Sequence, residues 1–162
     1  MARTDVFLKI DGVDGESLDD KHKNEIEISS WSFQEQNSGT SAQGGGAGAG
    51  RVSMGDFHLT KVIDKSSPKI MQACATGKSF PKVLLTARKA GGEQQEYLKV
   101  TFTDVMISSF ATSGTGENGV LPIENLALNF GSIKFEYSPQ KADGSLDGAI
   151  AAGWDLKANK AI

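Results

Sequence analysis

Along most of the chain the apolar residues recur at every second position, the signature of half-buried β-strands. Val6, Leu8 and Ile10 alternate with Phe7 and Lys9. Ile26 and Ile28 alternate with Glu25, Glu27 and Ser29. The same rhythm runs through Val83, Leu85 and Ala87, through Leu98, Val100 and Phe102, and through Leu126, Leu128 and Phe130. β-Branched and aromatic residues are frequent in these runs, as a pleated, half-buried surface favours.

Three runs then change phase. The apolar parity moves from Ile28 to Trp31 and Phe33, from Phe102 to Val105 and Ile107, and from Phe130 to Ile133, Phe135 and Tyr137. A one-residue slip would turn the whole apolar set to the wrong face. One extra residue, a β-bulge, restores the face and bends the strand. Bulges are therefore expected near Ser29 and Ser30, Thr103 and Asp104, and Gly131 and Ser132. The alternative is a strand end and a turn at each shift; of the three sites, Gly131 has the turn chemistry. Long bent strands are what a curling sheet needs.

One segment has helical spacing. Ser66, Ser67 and Pro68 offer an N-cap and a first-turn proline, Ile70, Ala73 and Cys74 share a face, and Gly77 closes the C-terminus. The expected fold class is mainly β: a bent antiparallel β-barrel with one short α-helix packed on its side. Nothing in the composition divides residues 1–162, so a single domain is expected.

Three Gly-rich stretches punctuate the strands. Residues 37–50 are polar and Gly-rich, with five glycines between positions 44 and 50: Gly44, Gly45, Gly46, Gly48 and Gly50. Gly91 and Gly92 join two strand runs as a hairpin turn, and residues 113–119 form another link. The spacing Gly114-x-Gly116-x-x-Gly119 matches a dinucleotide fingerprint, but Val120-Leu121-Pro122-Ile123 reads as strand where that motif needs a helix N-terminus. Gly77-Lys78-Ser79 resembles the end of a phosphate loop, yet Gln72 stands where its first glycine belongs.

Candidate chemistry is sparse. Arg88 and Lys89 read as a solvated hairpin tip, and His22, within Asp19-Asp20-Lys21-His22-Lys23, as part of a solvated loop. His58 alternates against Phe57 and Leu59 and is expected to point outward. Cys74 falls on the apolar helix face, where a cysteine packs as a small core residue. Asp64, Glu93, Glu96, Asp104 and Glu124 are scattered, with no acid–base spacing. No catalytic residue, metal site or cofactor is expected.

The 162 residues carry 17 Lys and Arg against 20 Asp and Glu, a net charge of −3. That balance argues against a dedicated nucleic-acid binder. One cysteine excludes an intrachain disulfide. Lys9 and Asp11 interrupt the first apolar run, so no secretory leader is expected, and no run is long enough for a membrane-spanning helix. The residues alone leave three readings open: a self-assembling barrel that presents its edges head to tail, a barrel enzyme or ligand-binding module, and a phage tail-tube subunit.

The chain resembles the Hcp (haemolysin-coregulated protein) family, the tube protein of bacterial type VI secretion. The matching segments include Lys9-Ile10-x-Gly12-x-x-Gly15-Glu16-Ser17, Trp31-Ser32-Phe33, Asp64-Lys65-Ser66-Ser67-Pro68 and Met71-x-Ala73-Cys74-x-x-Gly77-Lys78. Arg88-Lys89-Ala90-Gly91-Gly92-Glu93, Tyr137-Ser138-Pro139-Gln140-Lys141-Ala142-Asp143-Gly144 and Gly153-Trp154-Asp155 complete the series in the family's order.

The resemblance implies homohexameric rings stacked into a hollow tube, driven out by a contractile sheath behind a spike protein, with effectors carried in the lumen. It implies synthesis in the bacterial cytoplasm, export without a cleaved leader, and no fused toxin domain after Ile162. Ser32 then becomes the expected effector contact, with Ser30 and Gln34 sharing its parity on a small, polar lumen lining. The segment holding Ser38 and the five glycines becomes the expected contact between subunits or rings.

Overall fold

The computed structural model describes residues 4–39, 51–90 and 93–162. In chain order its strands are β1 (Thr4–Ile10), β2 (Ile26–Glu27), β3 (Ser30–Ser32), β4 (Glu35–Asn37), β5 (Val52–Met54) and β6 (Phe57–Val62). The helix α1 (Ser67–Thr76) follows. Then come β7 (Ser79–Lys89), β8 (Glu96–Ser113), β9 (Ile123–Asn129), β10 (Ser132–Tyr137), β11 (Ile150–Asp155) and β12 (Lys160–Ala161). The expected mainly β architecture with one short helix is what forms.

All ladders are antiparallel, and β8 belongs to two of them. Its first part lies in the order β12-β11-β10-β8-β7-β1-β2, and its last part continues through β9 and β6 to β3. Among the described residues no ladder joins β2 to β3, so the sheet stays open there and only the backbone crosses the gap. Ile28 N–H donates to the Val6 carbonyl at 2.9 Å, and the next residue, Ser29, donates to the Thr60 carbonyl on the other sheet at 2.8 Å. The enclosed core includes Leu8, Leu59, Leu85, Phe102, Ile107 and Leu128.

The phase changes have two different causes. At Ser29 and Ser30 the strand ends and the chain changes sheet, so the expected bulge there is replaced by a crossing. At Thr103–Asp104 and Gly131–Ser132 the two sites face each other. Ser132 stands opposite Thr103, and Asn129 opposite Met106, so the alignment is the same on both sides of the corner. Both strands switch face together, with no slip between them. Asp104 makes the turn at φ +51°, and Gly131 N–H donates to the Thr103 and Asp104 carbonyls at 2.9 and 3.2 Å. A Cβ on Gly131 would meet the Asp104 Cβ at 3.1 Å, which is why the smallest residue stands there. The true register shifts lie elsewhere, between Ala87 and Arg88 and between Ile107 and Ser109.

The helix packs Ser67, Ile70 and Ala73 inward, with Cys74 half-buried at the core's margin. Gly77 ends it in the left-handed region at φ +66°. The expected cap by the Ser66 side chain does not form; its hydroxyl donates to Asp64, which also receives Ser66 N–H at 2.9 Å.

Beneath the helix start lies a buried ion cluster. Lys61 and Glu124 are opposite residues of the β6–β9 ladder, and both point inward. The Lys61 ammonium reaches Glu124 Oε1 at 2.6 Å, Asp64 Oδ1 at 3.0 Å and Ser67 Oγ at 3.1 Å. Ser67 Oγ donates to Glu124 Oε1 at 2.6 Å and accepts Asp64 N–H at 3.0 Å. Every N–H of the ammonium and every site of the hydroxyl is used.

A second cluster corrects two expectations. Arg88 and His22 are buried rather than solvated. Residues 14–25 fold over the outer face of β1 and β7. There the His22 ring stacks on Phe7 at 4.3 Å, and the Arg88 guanidinium lies 4.9 Å from the same ring. His22 Nδ1 lies 2.7 Å from Glu25 Oε2, and Nε2 lies 2.7 Å from Glu96 Oε1. Arg88 forks onto both oxygens of Asp19 and reaches Asp5 at 3.5 Å. The Arg88 hydrogen bonds, aided by N–H donation from Lys21 and His22, hold the Asp19 carboxyl at about 2, against an ordinary 3.8.

Two outcomes follow from these clusters. Lys61→Met strands Glu124 and should cost about 3–5 kcal/mol in urea unfolding. Adding Glu124→Leu to Lys61→Met should cost much less than the two single changes combined, because the fully buried Glu124 carboxylate is then no longer left without its cation. The Asp19 carboxyl titrates lower in the folded chain than in the unfolded one. Its contribution is therefore full above 3.8 and is lost as pH falls toward 2. Urea midpoints measured across that span should fall less steeply for Asp19→Asn than for the wild type.

Candidate functional site

Trp31 of β3 and Phe33 just after it decide which way the intervening polar side chains point. Trp31 stacks on Phe57 at 5.4 Å, and Phe33 on the same ring at 5.9 Å. Alternation then turns Ser30, Ser32 and Gln34 outward, and all three are exposed. Across the ladder Ser30 stands opposite Thr60, and Ser32 opposite His58. Thr60 Oγ1 donates to Asn125 Oδ1 at 2.9 Å on the next strand, where Ser109 and Ala111 of β8 follow. The result is a four-strand face of small and polar side chains.

Ser32 and Gln34 share a recess of about 420 Å³ with Gln36, Ser53, Asp56 and His58. Ser30 lies on the same face but outside that recess. His58 points outward as its alternation predicts. Asp56 carries no sequence signal; it reaches the recess from the turn between β5 and β6.

A serine, a histidine and an aspartate in one recess invite comparison with a nucleophilic relay, which needs them hydrogen-bonded in series. They are not. The Asp56 oxygens accept from Ser108 Oγ at 2.6 Å and Asn129 Nδ2 at 3.0 Å, and among the described residues His58 bonds to neither Ser32 nor Asp56. Among the described residues no cluster of His, Cys, Asp or Glu has metal-binding geometry, and no helix is long and apolar enough to cross a membrane.

The face is not polar throughout. At the far end of β6 and β9 the opposed pair on it is Val62 and Ile123, both exposed. Apolar side chains there leave Ser32 and His58 as the centre of the polar part.

The segment after Gln34 leaves the barrel earlier than expected. Glu35, Gln36 and Asn37 pair with Met54, Ser53 and Val52, so β4 and β5 form the stem of an arm. Ser38 continues this stem and is exposed. Gly44, Gly45, Gly46, Gly48 and Gly50 lie outside the described residues. Between the stem and strands β10 and β11 runs a groove of about 1080 Å³, largely apolar, lined by Phe33, Val52, Met54, Ile133, Phe135 and Trp154.

This architecture has known counterparts. A family model described as "Type VI secretion system effector, Hcp" matches residues 7–137. Protein hcp1 of Pseudomonas aeruginosa is 47% identical over 157 residues, covering 96% of each chain. The crystal structure of Hcp1 from Salmonella typhimurium is 42% identical and covers 100% of both chains at a TM-score of 0.79. A solved structure described as a type six secretion system protein is 34% identical, covers 99% of this chain and 100% of its own, and gives a TM-score of 0.92. The chain belongs to the Hcp family, the ring-forming and non-enzymatic tube proteins of the bacterial type VI secretion system.

Proposed function

We propose that copies of this chain join side by side into six-membered rings that stack as a hollow conduit, with the Ser32 face lining the lumen. The observation that carries this reading is a pair of free sheet edges. In the sheet β3-β6-β9-β8 the ladder ends on β3 at one side. At the other side, residues 107–113 of β8 pair with β9 alone among the described residues. Unpaired N–H and C=O groups on both margins invite strand addition. One margin differs from the other, so the contact is head to tail, and such contacts close into a ring when the rotation between neighbours completes a circle.

A ring built this way carries one continuous wall, and its concave side is the face of Ser30, Ser32, Thr60 and Asn125. Short hydroxyl and amide side chains suit a conduit, because they hydrogen-bond to passing cargo without a large apolar hold on it. Effector proteins touching Ser32 and Gln34, a spike at the tip, a surrounding sheath and export without a cleaved leader complete the reading. The arm that contains Ser38 reaches toward a neighbouring subunit.

Light scattering with negative-stain images should show hollow rings of six subunits; a monomer at every concentration would refute the ring. Neighbouring residues of a strand point their N–H groups to opposite sides, so proline at Ala111 and at Thr112 should act differently. One should lower thermal stability by unpairing β9, and the other should leave the monomer folded while ring mass is lost. For the lumen, Ser32→Trp should leave ring mass unchanged and reduce the effector recovered with purified rings. Unchanged recovery would place cargo elsewhere.

A further inference from the structure

Asp56 is the one carboxylate in the recess beside Ser32, and no lysine or arginine lines that recess. Its hydrogen-bond partners are neutral. Ser108 Oγ donates to one carboxylate oxygen at 2.6 Å, and Asn129 Nδ2 to the other at 3.0 Å. Among the described residues no cation pairs with it. The two donors hold the carboxylate in one orientation, and each oxygen keeps a lone pair beyond the bond it accepts. Asp56 is half-buried, so its charge is neither fully solvated nor neutralised. The turn that carries it leaves the space open. Gly55 N–H donates to the Gln34 carbonyl at 2.9 Å, and a Cβ on Gly55 would stand 3.2 Å from that same oxygen. The close approach that fixes the turn therefore also keeps a side chain out of the recess. Around the carboxylate stand the hydroxyls of Ser32 and Ser53 and the amides of Gln34 and Gln36. His58 is the only other titratable side chain that lines it.

We propose that this recess receives an arginine side chain of the cargo, its guanidinium forked onto Asp56 and its other N–H groups on the glutamine carbonyls and serine hydroxyls. The inference rests on the lumen reading above and names the chemistry by which cargo is held. A guanidinium presents its five donors in one plane, and two parallel N–H groups match the two oxygens of a carboxylate. An ammonium is a point charge with three donors and makes no such fork. An anionic side chain would meet the Asp56 charge, and an apolar one would cover it without a partner.

The surroundings favour the same ligand. At about 420 Å³ the recess admits one long side chain rather than a folded element. Its walls are concave, which concentrates the field of the single carboxylate. The neighbouring positions on the sheet, Ser30, Thr60, Ser109 and Asn125, carry no charge that would compete for the guanidinium. In a ring the recess recurs in every subunit. Cargo with several surface arginines is then held by several weak contacts at once, each of which releases on its own.

Saturation-transfer NMR on the purified protein tests the site with a peptide of neutral ends, acetyl-Gly-Arg-Gly-amide. The comparison peptides carry citrulline, which keeps the shape and removes the charge, or lysine. The arginine side-chain protons should take up saturation, the citrulline peptide should bind about tenfold more weakly, and the lysine peptide should fall between them. Asp56→Asn should abolish that preference. His58→Lys should abolish it too, because it sets an ammonium in the recess while leaving both Asp56 hydrogen bonds in place; its melting temperature reports that the fold is intact. Equal binding of the arginine and citrulline peptides overturns the proposal. So does a lysine peptide that binds as well as arginine, which would mean a diffuse field rather than a fork, and so does a preference that survives either variant. With effector present, Asp56→Asn should lower the amount recovered with the rings, as Ser32→Trp does. Recovery lowered by Ser32→Trp alone would overturn the arginine anchor and leave the lumen reading standing. Recovery untouched by both would refute the lumen reading instead, while a peptide preference lost in Asp56→Asn would still establish the recess as an arginine site.

Discussion

A fully buried ammonium sets the terms for the rest of this fold. Lys61 sits where a lysine almost never sits, and its charge is tolerable only if all three N–H groups are met. They are met from three directions, by Glu124 on β9, by Asp64 in the turn before α1 and by Ser67 in the helix's first turn. One side chain thereby fixes the register of β6 against β9 and the position of the helix over both. A slip of one residue would expel Lys61 and draw Thr60 inward. The outward direction of His58 and Thr60, and the polar face they share with Ser32, are thus tied to an interaction on the opposite side of the sheet.

The long strand β8 does the complementary work of joining two sheets. Because Asp104 and Gly131 bend both members of the pair at one level, the ladder passes the corner without losing alignment. The strand then leaves its neighbour β7 behind, and one margin stands free. The same geometry that closes the core therefore opens the edge on which the proposed assembly depends. Packing and association are two results of one bend.

The alternation of apolar residues made most strands legible before any coordinates, and the parity of Trp31 and Phe33 was enough to place Ser32 outward. Ser66, Pro68 and Gly77 marked the helix. The buried charges were not legible, because their partners are far off in sequence: Arg88 and Asp19 are 69 residues apart, and Lys61 and Glu124 63. Alone, each reads as a solvated residue. Signals were nevertheless present. Lys61 keeps the parity of Phe57 and Leu59, and Glu124 that of Leu126 and Leu128. Phe7, an aromatic on the supposedly polar side of β1, announced that a segment must cover that face. The bulges were misplaced for a different reason: a change of phase in one strand cannot reveal that its neighbour bends with it. The recess at Ser32 was half visible, since Asp56 joins it through a turn that alternation does not describe.

The crossing at Ile28 and Ser29 bears on when the subunit becomes competent to assemble. β3 has no ladder partner until β6 has been made, β1 has only the two-residue β2 beside it until β7 is made, and β9 comes later still. Pairings this distant along the chain form slowly, because loop closure must precede every stabilising contact. During synthesis the early strands wait on later ones, exposed to the wrong partners. The two margins of the finished sheet come into register only when the last of these pairings is in place. An incomplete or misfolded chain has no matched edges to offer, so the ring proposed above would admit only subunits that have finished folding.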